Sequence, residues 1–154
     1  MKGSEFMESN NVWNAVIDIL SECDFPTKSS ILNEAHIVFQ YYSELESGGH
    51  ESLFNSLSTQ IEASGIGTYL KGIITALEKM GANDYAAIAG NYGEEMWRLF
   101  VALENDEIEE TEFYRIIEKA DDAYYELGGK LELLLEDYFV KVHTELIEAA
   151  EGHK

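Results

Sequence analysis

The sequence contains one proline, Pro26, and one cysteine, Cys23, in 154 residues. A single cysteine excludes an intramolecular disulfide, and its position after the apolar Ile19 and Leu20 is typical of a small core residue. No apolar run approaches the roughly 20 residues needed to cross a bilayer, so the sequence predicts no membrane span. The lack of a charged-then-apolar leader favours a cytoplasmic location.

Basic residues are also scarce, since 10 Lys and Arg stand against 30 Asp and Glu, for a formal net charge of −20. A disordered acidic tail would have few apolar residues, but 45% of this chain is hydrophobic and 12% is aromatic. The composition therefore predicts a folded protein with a strongly negative surface. Such a surface repels nucleic acid and attracts basic partners over roughly 8–10 Å in ordinary salt.

The apolar residues recur at three- and four-residue spacing, as in Val12, Val16 and Leu20, and β-branched alternation is rare. This periodicity is typical of amphipathic helices. Glycines divide the pattern at Gly48-Gly49, at Gly90 and Gly93, and at Gly128-Gly129. We therefore expect an all-α, compact, single-domain bundle of about seven or eight helices with a long C-terminal helix from Lys130 to about Ala150.

The two ends of the chain are expected to lie outside this bundle. Residues 1–6, MKGSEF, resemble an expression-vector remnant, with Met7 as the native start. Residues 7–150 are predicted to form the single helical domain, and residues 151–154 a frayed tail.

No residue pattern indicates catalysis. The glutamate pairs Glu94/Glu95 and Glu132/Glu136 could supply an acid and a base, but among 30 acids a solvated face is the better interpretation. The sequence also lacks a nucleophile elbow, a phosphate-binding loop and a dinucleotide fingerprint. None of the four histidines has metal-ligand spacing: His36, His50, His143 and His153. The sequence thus predicts no enzyme, no cofactor and no metal site.

The strongest functional signal is an acidic tract from Glu104 to Asp122, in which nine acids face only Arg115 and Lys119. Carboxylates one helical turn apart lie about 5–6 Å apart, which is close to the phosphate repeat of a nucleic-acid strand. The tract could therefore occupy a basic cleft that normally takes DNA or RNA. The alternative is that the acidity serves only solubility. The predicted partner-binding residues are Glu104, Asp106, Glu107, Glu109, Glu110, Glu112, Glu118, Asp121 and Asp122.

Four segments in order resemble the motifs of the bacterial DNA-mimic protein family: SGGHESLFNS at residues 47–56, ALEKMGA at 76–82, ADDAYY at 120–125 and LLEDYFVKVH at 134–143. The resemblance covers roughly Ile31 to Leu146. His50 and Glu51 depart from an aromatic segment of the family, and Ser47 replaces an asparagine. We interpret the motif residues Phe54, Tyr124, Tyr125 and Tyr138 as core aromatics, and His143 as a hydrogen-bonded core or edge residue.

The resemblance implies a non-catalytic protein that copies the charge of DNA and blocks a basic partner, such as a transcription regulator. An alternative is an immunity protein that neutralises a toxin, most simply a nuclease, by covering its basic cleft. Both interpretations predict a basic DNA- or RNA-binding protein or toxin as partner, with no direct nucleic-acid or membrane binding.

The aromatic residues suggest a second contact surface. Two tryptophans, nine tyrosines and seven phenylalanines exceed what one core of this size readily takes, and aromatics with polar tips are favoured between proteins. A symmetric homodimer is compatible with this surplus. The stretch from Leu53 to Met80 suits it best, because Glu62 and Glu78 are balanced there by Lys71 and Lys79.

Overall fold

The computed structural model describes residues 9–25 and 27–153, with side chains for 11–25 and 27–151. The proposed vector remnant, Met7, Pro26 and Lys154 lie outside the described residues. The described part contains six helices and no strand: α1 Ser9–Glu22, α2 Ser30–Ser64, α3 Ile66–Lys79, α4 Asn83–Glu104, α5 Glu110–Glu126 and α6 Lys130–His153. The all-α class is confirmed. The helix α6 extends to His153, and the frayed tail expected for residues 151–154 stays a prediction.

The number of helices is lower than the seven or eight predicted, and glycine explains the difference. Gly90 and Gly93 were expected to interrupt α4, but the helix is continuous, since a helical glycine costs only about 1 kcal/mol. Gly93 has a packing role instead. A Cβ atom there would come within 2.6 Å of the Leu70 Cδ2 atom of α3, so the glycine allows α3 and α4 to approach closely.

The other predicted interruption, at Gly48-Gly49, is a sharp break inside α2. Gly48 has φ −160° and ψ 21°, and Gly49 has φ 72° and ψ −163°, a region open almost only to glycine. Helical hydrogen bonding resumes at once, so the two halves count as one 35-residue element. The break therefore changes the direction of the chain without a loop.

The broken helix α2 is the hub of the fold, because α1, α3, α5 and α6 all pack against it. The helices α3 and α4 pack side by side, as do α4 and α5, while α6 packs against α1. One hydrophobic cluster collects buried residues of all six helices. The Tyr85 hydroxyl of α4 accepts a hydrogen bond from the Leu131 amide at 3.0 Å, which fixes the start of α6. None of the described helices is both long and apolar enough for a bilayer crossing.

Candidate acidic protein-binding surface

The nine predicted partner-binding residues lie along one continuous stretch of the fold. Glu104 ends α4, Asp106 to Glu109 form the connector, and the rest lie on α5. All of them are exposed except Asp121, whose side chain retains 23% exposure. Glu110 and Glu112 occupy the first turn of α5, where the helix dipole favours negative charge. The structure thus brings eight of these carboxylates to the surface and gives Asp121 a different environment.

Asp121 is bonded to the break in α2. Its Oδ1 atom accepts hydrogen bonds from the His50 backbone amide at 2.9 Å and from the His50 ring Nδ1 at 2.7 Å. Because a carboxylate only accepts, the ring proton lies on Nδ1. The Asp121 carboxylate also lies so close to Gly49 that a Cβ there would approach it within 2.7 Å. Asp121 therefore holds the unusual backbone of Gly49 and His50 in place.

Four tyrosines donate hydrogen bonds to glutamates that lie far away in the sequence. The donors are spread over α2, α5 and α6, and the O···O distances are 2.6–2.9 Å. The four pairs are Tyr42–Glu132, Tyr114–Glu51, Tyr124–Glu46 and Tyr138–Glu34. A tyrosine hydroxyl is uncharged, so each bond orients a carboxylate without cancelling its charge.

Three of these pairs join into one negative surface, whereas Glu34 of the fourth pair also binds Lys79 at 2.9 Å and is not part of it. Burial and the hydrogen bond to Glu46 raise the pKa of Tyr124 well above its usual value of 10. Burial and the Glu132 hydrogen bond raise the pKa of Tyr42 in the same way, with further contributions from Glu46 and Glu136. We call the acids around these tyrosines the tyrosine-linked acidic surface, and it contains Glu46, Glu51, Glu110, Asp121, Glu132 and Glu136.

The acidic site predicted from the sequence was restricted to the tract from Glu104 to Asp122 and lacked this extension. The joined residues are 63–90 positions apart, and no local pattern marks a pair of that kind. Tyr125, which was expected in the core, lies beside Asp121 and Glu46 of the tyrosine-linked acidic surface. Its side chain is 56% exposed, so its assignment to the core was wrong. The expected core positions of Phe54, Tyr124 and Tyr138 are confirmed.

Cations do little to neutralise this surface. The described residues contain four pairs of opposite charge within 4.0 Å, and Asp121 is the only one of the nine predicted residues among them. Its partner is His50, which is charged only when protonated. Within the described part of the chain, none of the eight exposed carboxylates therefore has a cationic group within 4.0 Å.

The other residues weighed on sequence grounds have ordinary surroundings. Glu94 and Glu95 are exposed, and Glu132 accepts from Tyr42. His143 is half-buried, with its Nδ1 atom 3.1 Å from the Val140 carbonyl oxygen, which confirms it as an edge residue. Within the described part of the chain, His, Cys, Asp and Glu side chains form no group of three able to hold a metal ion.

Comparison with protein families places residues 29–143 within one model, that of the DMP19-like protein family. Comparison with curated proteins and with solved structures finds no match. The matched region runs from the residue before α2 into α6 and includes the break in α2 and all of α5. This result agrees with the resemblance to DNA-mimic proteins seen in the four sequence motifs, and it covers most of the chain. The chain belongs to the DMP19-like protein family.

Proposed function

We propose that this protein is a non-catalytic, DNA-mimicking binding protein that occupies the nucleic-acid-binding surface of a basic partner, such as a transcription regulator. The observation that carries the proposal is the tyrosine-linked acidic surface together with the exposed acids of residues 104–118. Three of its carboxylates, those of Glu46, Glu51 and Glu132, accept hydrogen bonds from uncharged tyrosine hydroxyls, so they are oriented without an ion pair. Oriented charges bind a partner at a lower entropic cost than mobile ones.

The family supports the same proposal, since the DMP19-like match fits a DNA-mimic role. Electrostatic attraction between a chain of charge −20 and a basic protein accelerates association and depends on salt. Binding to DNA itself is disfavoured, because DNA association relies on Lys and Arg that neutralise phosphates.

The experiment compares two variants that lose the same charge. One carries Asp106→Asn, Glu107→Gln, Glu109→Gln and Glu110→Gln, within the acidic tract. The matched control carries four exposed substitutions elsewhere: Asp18→Asn, Glu22→Gln, Glu148→Gln and Glu151→Gln. The wild-type protein is used to capture partners from a cell extract, and binding to the captured partner is then measured with all three proteins.

We expect the captured partner to be a basic nucleic-acid-binding protein that DNA displaces. At about 0.2–1 kcal/mol for each exposed charge pair, the tract variant should lose about tenfold or more in affinity. The control should lose much less, and the affinity of the wild type should fall steeply with salt. Equal losses in both variants, or an affinity independent of salt, would contradict the proposal.

The immunity function remains the second candidate, because a nuclease toxin presents the same basic cleft. The two are distinguished by the captured partner. If the partner hydrolyses nucleic acid and this protein stops the hydrolysis, the immunity function is correct. A partner that binds DNA without cleaving it supports the transcription-regulator function.

A symmetric homodimer through the stretch from Leu53 to Met80 is a further proposal. The exposed side of α3 in this stretch borders a groove of about 440 Å³ whose lining includes Thr68, Lys71, Gly72 and Thr75. A contact there would leave residues 104–122 free for a basic partner. Light scattering should give twice the chain mass of 17.4 kDa at micromolar concentration, and the mass of a single chain would rule out the dimer.

A further inference from the structure

The only two arginines of the sequence, Arg98 and Arg115, line the same pocket with Lys119. The pocket lies between α4 and α5 and has a volume of about 260 Å³. Three of the ten basic residues of the chain therefore meet at one place, directly beside the acidic tract. The remaining lining residues are Glu95, Leu99, Ile108, Glu112 and Ile116.

Acids of the protein bind these three cations weakly or not at all in the described residues. Arg98 is 69% exposed and reaches Glu95 only at 3.9 Å. Among the described residues, no carboxylate oxygen comes within 4.0 Å of the Arg115 or Lys119 side chain. Arg115 and Lys119 are one helical turn apart, an arrangement in which like charges repel. A cluster of this kind is favourable when an anion from outside binds between the cations.

The pocket is suited to a carboxylate. A guanidinium group presents a planar fork of donors that matches the two oxygens of a carboxylate. Leu99 and Ile116 are buried, and Ile108 is half-buried, so part of the lining of the pocket is apolar. An ion pair beside apolar side chains is weakened less by solvent than one on an open surface.

The net charge of the protein decides where that carboxylate comes from. A free anion is repelled by the charge of −20 before it reaches the pocket. A carboxylate on an otherwise basic protein is instead brought in by the attraction between the two surfaces. We propose that the pocket of Arg98, Arg115 and Lys119 receives one Asp or Glu side chain of the basic partner.

This inference rests on the proposed function and adds a basis for partner choice. DNA presents only negative charge, so a partner surface that offers only the basic groups needed for DNA gains nothing from the pocket of Arg98, Arg115 and Lys119. A partner with one acidic residue at the matching position among its basic residues gains an additional ion pair. The pocket therefore lets the protein distinguish its partner from other basic proteins.

The test uses two flexible peptides rich in Lys and Ser, identical except for one central Glu or Gln. Binding of each is measured at low ionic strength to the wild type and to the variant Arg98→Gln, Arg115→Gln, Lys119→Gln. The matched control variant is Lys28→Gln, Lys130→Gln, Lys141→Gln, which removes the same charge from exposed positions elsewhere.

A glutamate lowers the charge of the peptide and should by itself weaken binding to an acidic protein. We expect the wild type and the control variant to bind the Glu peptide about threefold more tightly than the Gln peptide. The pocket variant should show the opposite order. The same preference for the Gln peptide in all three proteins would overturn the inference.

The arginine side chains give a direct readout. Because the chain has two arginines, their Nε–Hε groups give two signals in an ¹⁵N correlation spectrum. The Glu peptide should shift them and the Gln peptide should not. Inorganic phosphate alone should shift neither at millimolar concentration, and a saturable shift with phosphate would overturn the inference in favour of a free-anion site.

The outcomes separate the two proposals. If neither peptide binds the wild type, the attraction for basic surfaces is absent and both proposals fail. If both peptides bind, with the Gln peptide preferred throughout and the arginine signals unmoved, only the pocket proposal fails.

Discussion

The two edges of α5 differ in whether their polar and charged side chains have partners within the protein. On the edge towards α2, Tyr114 donates a hydrogen bond to Glu51 and Asp121 accepts two from His50. On the edge towards α4, Arg115 and Lys119 line a pocket, and no described carboxylate lies within 4.0 Å of either. The fold thus fixes one acid of this helix, Asp121, and one acid of α2, Glu51, whereas Arg115 and Lys119 are left for a partner outside the protein.

The contrast between the edges shows how a chain with few cations can still order its acids. Salt bridges would fix the carboxylates but cancel the charge on which the proposed DNA mimicry depends. Tyrosine hydroxyls fix them and leave the charge intact. We therefore expect the hydrogen bonds of the α2-facing edge to contribute to stability as well as to binding, and the cations of the α4-facing edge to contribute to binding alone. The following predictions test that division from the largest effect to the smallest.

Alkaline pH should disrupt the packing of buried tyrosines from α2, α3, α5 and α6 together. Burial, followed by hydrogen bonds to Glu46 and Glu34, raises the pKa of Tyr124 and Tyr138 well above 10. Burial also raises the pKa of Tyr41 and the pKa of Tyr69. The folded chain holds these protons after the unfolded chain has lost them, so their stabilisation is complete below about pH 10 and is lost as pH rises.

We therefore expect cooperative unfolding above pH 10, with tyrosinate absorbance and loss of helical circular dichroism in the same transition. The guanidinium-unfolded chain is the control and should titrate smoothly near pH 10. Smooth titration of the native chain near pH 10, with its helicity retained, would contradict the assigned role of the tyrosines.

The variant Gly49→Ala should cause a larger loss of stability than any of the other single substitutions proposed below. The backbone of Gly49 lies where a side chain costs roughly 1–3 kcal/mol. The new Cβ would also displace the Asp121 carboxylate, whose two hydrogen bonds to His50 contribute roughly 1 kcal/mol each. We expect a loss of about 3 kcal/mol or more in denaturant unfolding, and a melting temperature about 10 °C lower.

Gly67→Ala is the matched control for this substitution. Gly67 lies in the first turn of α3, and an added Cβ would meet no atom within 4 Å. Alanine in a helix is favoured over glycine by up to about 1 kcal/mol, so this variant should be as stable as the wild type or more stable. Equal losses from both substitutions would show that the contact with Asp121 does not matter.

The sequence predicted the helical class and the break at Gly48-Gly49, because glycine pairs and apolar periodicity are local signals. It did not predict that α4 passes through Gly90 and Gly93. A glycine that ends a helix and one that permits close packing look the same until the neighbouring helix is known. For Gly93 that neighbour is Leu70 of α3.

The candidate site was predicted only in part for a similar reason. Exposure of the acids from Glu104 to Glu118 followed from composition, since so many charges cannot be buried. The role of Asp121 could not be predicted from composition, because its partner His50 is 71 positions away. The pocket of Arg98 and Arg115 also depends on the packing of two helices and has no local pattern.

The variant Tyr124→Phe should have a moderate effect. Tyr124 is 4% exposed, and its hydroxyl bonds Glu46 at 2.8 Å. Loss of the hydroxyl leaves a partly desolvated carboxylate without its donor, which we expect to cost about 1–2 kcal/mol in denaturant unfolding. Tyr114→Phe is the control, because Tyr114 is exposed and its loss should stay within about 0.5 kcal/mol. If the two variants were equally stable, burial of the tyrosine–glutamate pair would contribute nothing.

The smallest effect on stability is expected on the α4-facing edge. Arg115→Gln and Lys119→Gln remove cations that have no described carboxylate within 4.0 Å, and the substitution relieves a like-charge pair one turn apart. The stability gained by removing this repulsion is offset, because the substitution also removes a positive charge from a chain whose net charge is −20. Each variant should therefore unfold within about 0.5 kcal/mol of the wild type. A loss above roughly 1 kcal/mol would mean that these cations stabilise the fold as Asp121 does, and the division between the two edges of α5 would be wrong.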